Sequence, residues 1–254
     1  MAQTAMTQRR IQGARGTIFQ ASTLNAIMLG NFDGAVSVAE LLGHGAWGLG
    51  TYEGLDGEAI ICDGRAYNAR ANGEVVEYGP EERLAFATVA SLSARAGQFE
   101  LEPTDDLVST KAALERVRRA YEPNDNAWFL TVIEGDVPRV RVRSCEKIAD
   151  KPYPTLSEAA CGQREHLYAG ERGRLVGIWA PAWQQGINLP GWHLHFLSQG
   201  LRRGGHVLDV ALAAGATARI ESYGRFELVL PDNPEFATLD LARDLAAETA
   251  AVEG

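Results

Sequence analysis

The chain has little cysteine, no long apolar run and no cluster of basic residues, and each shortage removes a class of protein. Its three cysteines, Cys62, Cys145 and Cys161, are odd in number and include no Cys-x-x-Cys pair. They read as reduced thiols of a cytoplasmic protein, not as a disulfide framework. No stretch approaches the roughly 20 apolar residues that span a bilayer, so no membrane helix is expected. The opening MAQTAMTQRRIQGARG lacks the apolar middle of a secretory signal, and residues 1–14 read as a flexible polar lead-in. Lys and Arg number 24 against 33 Asp and Glu, a net charge of -9. That balance argues against a nucleic-acid surface or a polybasic membrane patch, both of which need clustered cations. An anionic substrate would therefore need a local positive site, either a metal or a placed arginine. The 46% hydrophobic and 22% charged content is that of a soluble globular protein.

Glycine is plentiful, and it punctuates short β-rich segments. Turn signals at Gly54, Asp56-Gly57, Asp63-Gly64 and Asn72-Gly73 separate strand-like runs, which together suggest a meander of hairpins. Helical spacing is rarer. Ser37 to Leu42 is short, whereas Ser109 to Ala120 is well formed, with Ser109 as a cap and Arg116, Arg118 and Arg119 near its C-terminal end. Thr155 to Ala169 opens with a capping-box pair, Thr155 and Glu158, and predicts a further helix. Leu239 to Ala251 predicts a closing helix, and Arg83 to Leu92 suits either a buried strand or a helix. Ala127 to Glu134 and Arg139 to Ser144 read as a hairpin turning at Gly135-Asp136-Val137-Pro138. Strands follow at Leu175 to Ala180, Trp192 to Ser198, Val207 to Ala213 and along Thr217 to Leu230. The chain thus reads as α+β, two β-rich parts with mixed or antiparallel sheets and a few flanking helices. One part covers 15–150, and the other, 151–254, begins at Lys151-Pro152-Tyr153-Pro154.

The chemical signal is GWHLHFLSQGLRRGGHVLDV, residues 191–210. Side chains alternate along a strand, so His193 and His195 project from one face while Leu194 and Phe196 turn the other way. Gln199 to Gly205 is rich in turn residues and can return the chain antiparallel. His206 then opens the returning strand, about 5 Å from a cross-strand neighbour. Three of the five histidines therefore converge from two rigid strands. Three nitrogen ligands with an open fourth position make a catalytic rather than a structural zinc site, although imidazoles also suit iron, nickel, copper or manganese. An isolated His-x-His would read as two ordinary histidines; the third, after a hairpin-like connector, is what favours a metal. His44, after a short helix, and His166, expected in mid-helix, carry no such signal.

That motif, with other blocks, resembles the bacterial α-acetolactate decarboxylases. The blocks are Gly48-Leu49-Gly50-Thr51, Leu55-Asp56-Gly57-Glu58, Asp63-Gly64 with Tyr67, Lys151-Pro152-Tyr153-Pro154 and Asn188-Leu189-Pro190-Gly191. They occur in the family's order from about residue 20 onward. The resemblance implies a two-part α/β fold, a zinc ion, a homodimer, and non-oxidative decarboxylation of 2-acetolactate to acetoin and carbon dioxide. It implies His193, His195 and His206 as metal ligands, Glu58 as a functional carboxylate and Thr51 as a lining residue. It also implies a functional arginine before the Lys-Pro-Tyr block, either Arg143 or Arg141. Where the family has Val-Pro after its arginine and small hydroxyl residue, this chain has Cys145-Glu146 after Arg143-Ser144. A second carboxylate from the tail would be Glu253, with Glu248 the other candidate.

The chemistry needs these residue types. Loss of carbon dioxide from acetolactate leaves an electron pair that the adjacent ketone can accept as an enediolate, stabilised by a Lewis-acidic metal. A guanidinium matches the fork of the departing carboxylate. A buried glutamic acid can return the proton. Without the resemblance, Glu58 would read as a solvated strand residue, Arg141 and Arg143 as one face of a half-exposed strand, and Glu253 as part of a loose terminus. The competing reading is a cupin-like metal oxygenase or isomerase, but that pattern expects a glutamate soon after His-x-His, and residues 196–205 contain no acid. A metal-dependent binding protein would give no reason for Glu58 and Arg143 to meet beside the metal.

Overall fold

Most of this backbone follows from alternation of apolar and polar side chains, since a strand buries alternate residues against the next layer. The computed structural model describes residues 16–253; the lead-in expected over 1–14 lies outside the described residues. First come β1 (Thr17–Ala21), α1 (Leu24–Met28), β2 (Val36–Ser37), α2 (Val38–His44), β3 (Trp47–Tyr52), β4 (Glu58–Cys62), β5 (Arg65–Ala69), β6 (Val75–Tyr78) and β7 (Arg83–Ala90). Next are β8 (Gly97–Glu100), α3 (Leu107–Tyr121), β9 (Trp128–Ser144), α4 (Leu156–Ala159) and β10 (Arg164–Ala180). The chain continues through β11 (Gly191–Ser198), β12 (Gly204–Ala211), β13 (Thr217–Tyr223), β14 (Arg225–Val229) and α5 (Ala246–Glu253).

Two sheets result, and the fold is α+β with mixed and antiparallel pairing. One has the order β14-β1-β7-β3-β4-β5-β6, with β2 also on β7; the other has the order β10-β11-β12-β9-β13-β8, with β9 also paired to β10. β14 lies parallel to β1, Thr17 opposite Arg225. β8 and β9 pair with strands from the later part of the chain, whereas β14 returns to the earlier sheet. The sheets face each other across Ile60, Leu130, Val132, Val176 and Leu197, all buried. Each such side chain contributes roughly 1.5–3 kcal/mol relative to its exposed state. α3 covers the far side of the second sheet, setting Leu114 and Val117 against Phe129 and Ile133.

Several local expectations change. The segment Gly135 to Pro138 does not turn: β9 runs straight through it beside β10, with Gly135 opposite Gly173 and Val137 opposite Glu171. Gly135 serves close approach, because a Cβ there would lie 2.8 Å from that of Ala216. The helix expected over Thr155 to Ala169 stops early. Its capping box is present at Thr155 and Glu158, but one turn of α4 and a short 3-10 turn end at Gly162. From Arg164 the chain joins β10, so His166 lies on a strand opposite Val142. Ladder bonds to β9 outweigh local helix preference there. Asp106, not Ser109, caps α3; Ser109 completes the reciprocal capping box. Arg83 to Ala90 is a strand, the run after Thr217 divides at Gly224, and the closing helix begins at Ala246.

A buried polar cluster ties β1 and β7 to the loop that leads into β11. Gln20, Thr88 and Asn188 are almost fully buried. The Gln20 amide donates to the carbonyls of Ser22 (2.9 Å) and Ile187 (2.7 Å). Asn188 donates to Gln20 Oε1 (2.7 Å) and Thr88 Oγ1 (2.9 Å). Gln20→Leu would strand the Ser22 carbonyl and one Asn188 amide donor, and would leave the Ile187 carbonyl with only the Leu24 N–H. It is expected to lower the unfolding free energy by about 3 kcal/mol or more, read from urea denaturation; a loss under 1 kcal/mol would show the cluster to be energetically idle.

Candidate metal centre

The site begins with a register. β11 and β12 are antiparallel, and His195 stands directly opposite His206. His193, two residues from His195, shares its face. The Nε2 atom of His193 lies 2.9 Å from Nδ1 of His206 and 3.2 Å from Nε2 of His195. The ligand nitrogens of all three fall within 4.8 Å of one another. A zinc ion with nitrogen ligands at about 2.0–2.1 Å in tetrahedral array spaces those nitrogens by about 3.3 Å. The three histidines therefore fit a metal ion.

Protonation agrees with that fit. Nδ1 of His195 is 2.9 Å from the Ala59 carbonyl, which only accepts, so the proton sits on Nδ1 and the Nε2 lone pair faces the other imidazoles. Burial holds all three groups below the ordinary histidine range, His195 down to about 3. The nearby Arg143 charge adds to each shift. Neutral imidazoles are the form that binds metal.

Around this centre the two sheets supply the rest of a cavity, lined by Thr51, Glu58, Arg143, His193 and His206 among others. Glu58, nearly buried at the start of β4, places Oε2 3.6 Å from His195 Nε2. Gly57 (φ 69) turns the chain immediately before it. The Thr51 hydroxyl donates to the Gly57 carbonyl at 2.9 Å, bracing that turn, and Thr51 pairs with Glu58 across β3 and β4. The carboxylate beside the histidines thus comes from the opposite sheet, not from the segment after His195.

The two arginine candidates separate. Arg143 is 5% exposed, lines the cavity and sits opposite His206 on β12. Arg141 is exposed and paired with Glu165 at 3.0 Å. The tail candidates are less alike in what can be described. Glu248 lies in the first turn of α5, half-buried, 3.5 Å from Arg243. Glu253 is the last residue of that helix, and its side chain lies outside the described ones. The residue before it, Val252, lines the cavity and accepts a hydrogen bond from Arg143 Nη1 through its carbonyl.

Two of the cavity's carboxamide side chains, Asn188 and Gln163, carry no role that the sequence alone suggests. Asn188, in the Asn-Leu-Pro-Gly block, joins the cavity wall to the buried cluster. Gln163 accepts from Arg143 Nη1 at 3.3 Å. The helix expected over 155–169 concealed it, and no local pattern marks it.

Comparison with known proteins bears on what such a cavity does. The model of the family "Alpha-acetolactate decarboxylase" matches residues 18–243. The chain is 32% identical over 240 residues to the alpha-acetolactate decarboxylase of Methanosarcina mazei, covering 94% of this chain and 81% of that one. It is 34% identical over 227 residues to that of Methylococcus capsulatus, covering 89% and 85%. Its fold is similar to the crystal structure of alpha-acetolactate decarboxylase from Bacillus subtilis, with a TM-score of 0.84, 28% identity, and coverage of 94% of this chain and all of that one.

The depressed histidine pKa values set an acid limit on stability. An unfolded His195 takes up a proton near pH 6.5, whereas the folded one does so only at about 3. Unfolding therefore consumes a proton between these values, and metal-free protein loses stability as pH falls below about 6.5, by up to about 1.4 kcal/mol per unit for this group. Urea midpoints of chelator-treated protein between pH 7 and 5 should fall steeply, and less steeply in His195→Gln. Equal slopes would mean that the folded state already carries the charge.

Proposed function

The chain belongs to the alpha-acetolactate decarboxylase family, and on that premise we propose that it is a zinc-dependent carboxy-lyase converting 2-acetolactate to acetoin and carbon dioxide through an enediolate. The observation that carries the finer reading is the convergence of three neutral imidazoles beside Glu58 and Arg143 in one cavity.

Zinc held by His193, His195 and His206 would supply Lewis-acid stabilisation of the negative charge that develops on the ketone side of the substrate. Arg143 binds and orients the carboxylate that leaves, its charge matched to an anion in a chain of net charge -9. The departing carbon dioxide leaves its bonding electron pair in the substrate as the enediolate. Glu58, fixed by the Gly57 turn and the Thr51 contact, delivers a proton to that carbon, and Glu253 from the tail is the second candidate donor. Burial beside apolar lining such as Leu55 and Phe86 excludes water from the reacting carbon. The reading extends to a cytoplasmic homodimer. It draws on the family resemblance and, for the compartment, on the free thiols Cys62 and Cys145. Among the described residues, no helix is long and apolar enough to cross a membrane.

The test is incubation of purified protein with racemic acetolactate, following acetoin with and without chelator. Acetoin should form, cease on metal removal and return with zinc. His195→Ala should lose bound metal and activity together. Glu58→Gln should retain metal and lose at least about a hundredfold in turnover, the scale of a positioned proton donor. Full activity after metal removal would overturn the metal's role, and retained turnover in Glu58→Gln would move the proton donor elsewhere.

A further inference from the structure

A guanidinium has only donors, and this fixes the orientation of the carboxamide beside it. Arg143 Nη1 lies 3.3 Å from Gln163 Oε1, so the oxygen faces the arginine and the amide nitrogen faces the other way. Among the described residues that nitrogen meets no hydrogen-bond partner, and Gln163 is part of the cavity wall. It is held there by the chain: Gln163 follows the short 3-10 turn, its backbone N–H bonds the Ala160 carbonyl at 3.2 Å, and β10 starts at the next residue. A neutral donor pair therefore stands beside the cationic one, in a cavity where an anion's second oxygen needs a partner.

We propose that Gln163 is a substrate-binding residue whose amide N–H donates to the carboxylate held by Arg143. This selects a carboxylated substrate over its decarboxylated product. The proposal rests on the decarboxylase reading. It assigns Gln163 a dual part: its oxygen orients the guanidinium, and its nitrogen completes the carboxylate's hydrogen bonding. A site built to hydrogen-bond a group discriminates strongly against ligands lacking it, because its own polar atoms are then left unmatched. Loss of carbon dioxide removes the group that both residues hold, so the product is released without breaking those contacts.

The experiment uses full-length, zinc-loaded protein and two probes that cannot react. 2-Hydroxyisobutyrate presents the hydroxyl and carboxylate without a ketone, and acetoin presents the ketone and hydroxyl without a carboxylate. Gln163→Met preserves length while deleting the amide, and Gln163→Glu places a negative charge beside the substrate's own. Metal content should be unchanged in both. In Gln163→Met, the KM for acetolactate and the Kd for 2-hydroxyisobutyrate should rise roughly tenfold to a hundredfold. In the same variant kcat and acetoin affinity should stay within about threefold, and Gln163→Glu should bind 2-hydroxyisobutyrate more weakly still. A merely structural role would disturb metal content or acetoin binding as well. 2-Hydroxyisobutyrate that binds neither protein, or binds wild type and Gln163→Met equally, would overturn the proposal, as would equal weakening of both probes. Wild-type protein that makes no acetoin would instead sink the decarboxylase reading, and the binding ratio would still decide the role of Gln163.

Discussion

The direct opposition of His195 and His206 across β11 and β12 is the constraint from which the site is built. A slip of one residue in that ladder would turn one imidazole to the opposite face of the sheet, among Leu194, Phe196 and Val207. The same ladder places Arg143 of β9 next to His206, so the cation and the three histidines share one register. Hydrogen bonding to the Ala59 carbonyl then fixes His195 from the other sheet. The candidate metal centre is thus a seam between layers, with its three imidazoles in one sheet and the carboxylate Glu58 in the other.

Electrostatics follows from that placement. Three imidazoles packed together in an apolar interior stay neutral, and the neighbouring Arg143 reinforces this. A divalent cation and an arginine would leave the cavity strongly positive, although the molecule as a whole is acidic. Glu58 and the substrate's carboxylate are the negative partners such a cavity accommodates. On the proposed reading, selectivity between substrate and product reduces to one group, the carboxylate, and to the donors that would hold it.

The histidine triad was legible because strand alternation and a turn-rich connector are local signals. Glu58 and Arg143 were legible only through the resemblance, since a turn-flanked glutamate and an alternating arginine look ordinary by themselves. The choice of Arg143 over Arg141 needed the fold: both face the same way along β9, and only the first reaches the cavity while the second ends on Glu165. Gln163 was hidden behind a capping box at Thr155 that promised a longer helix. Pairing with β9 claims the chain from Arg164 onward, a long-range effect that no window of residues contains. The uninterrupted run of β9 through Gly135 to Pro138 was missed for the same reason.

The parallel pairing of β1 with β14 has a consequence for how the protein is made. The first strand's edge partner begins only at Arg225, after the histidines and nearly all of both sheets have been synthesised. At about 5–20 residues per second, the emerging β1 waits on the order of 10–40 s for the segment that covers it. During that interval one edge of the β1-β7-β3 array is open to other chains. The short length of β1, five residues, limits the template it presents. Completion of the sheet thus waits on synthesis of β14, and the nascent protein is most vulnerable to misassembly just before that strand emerges.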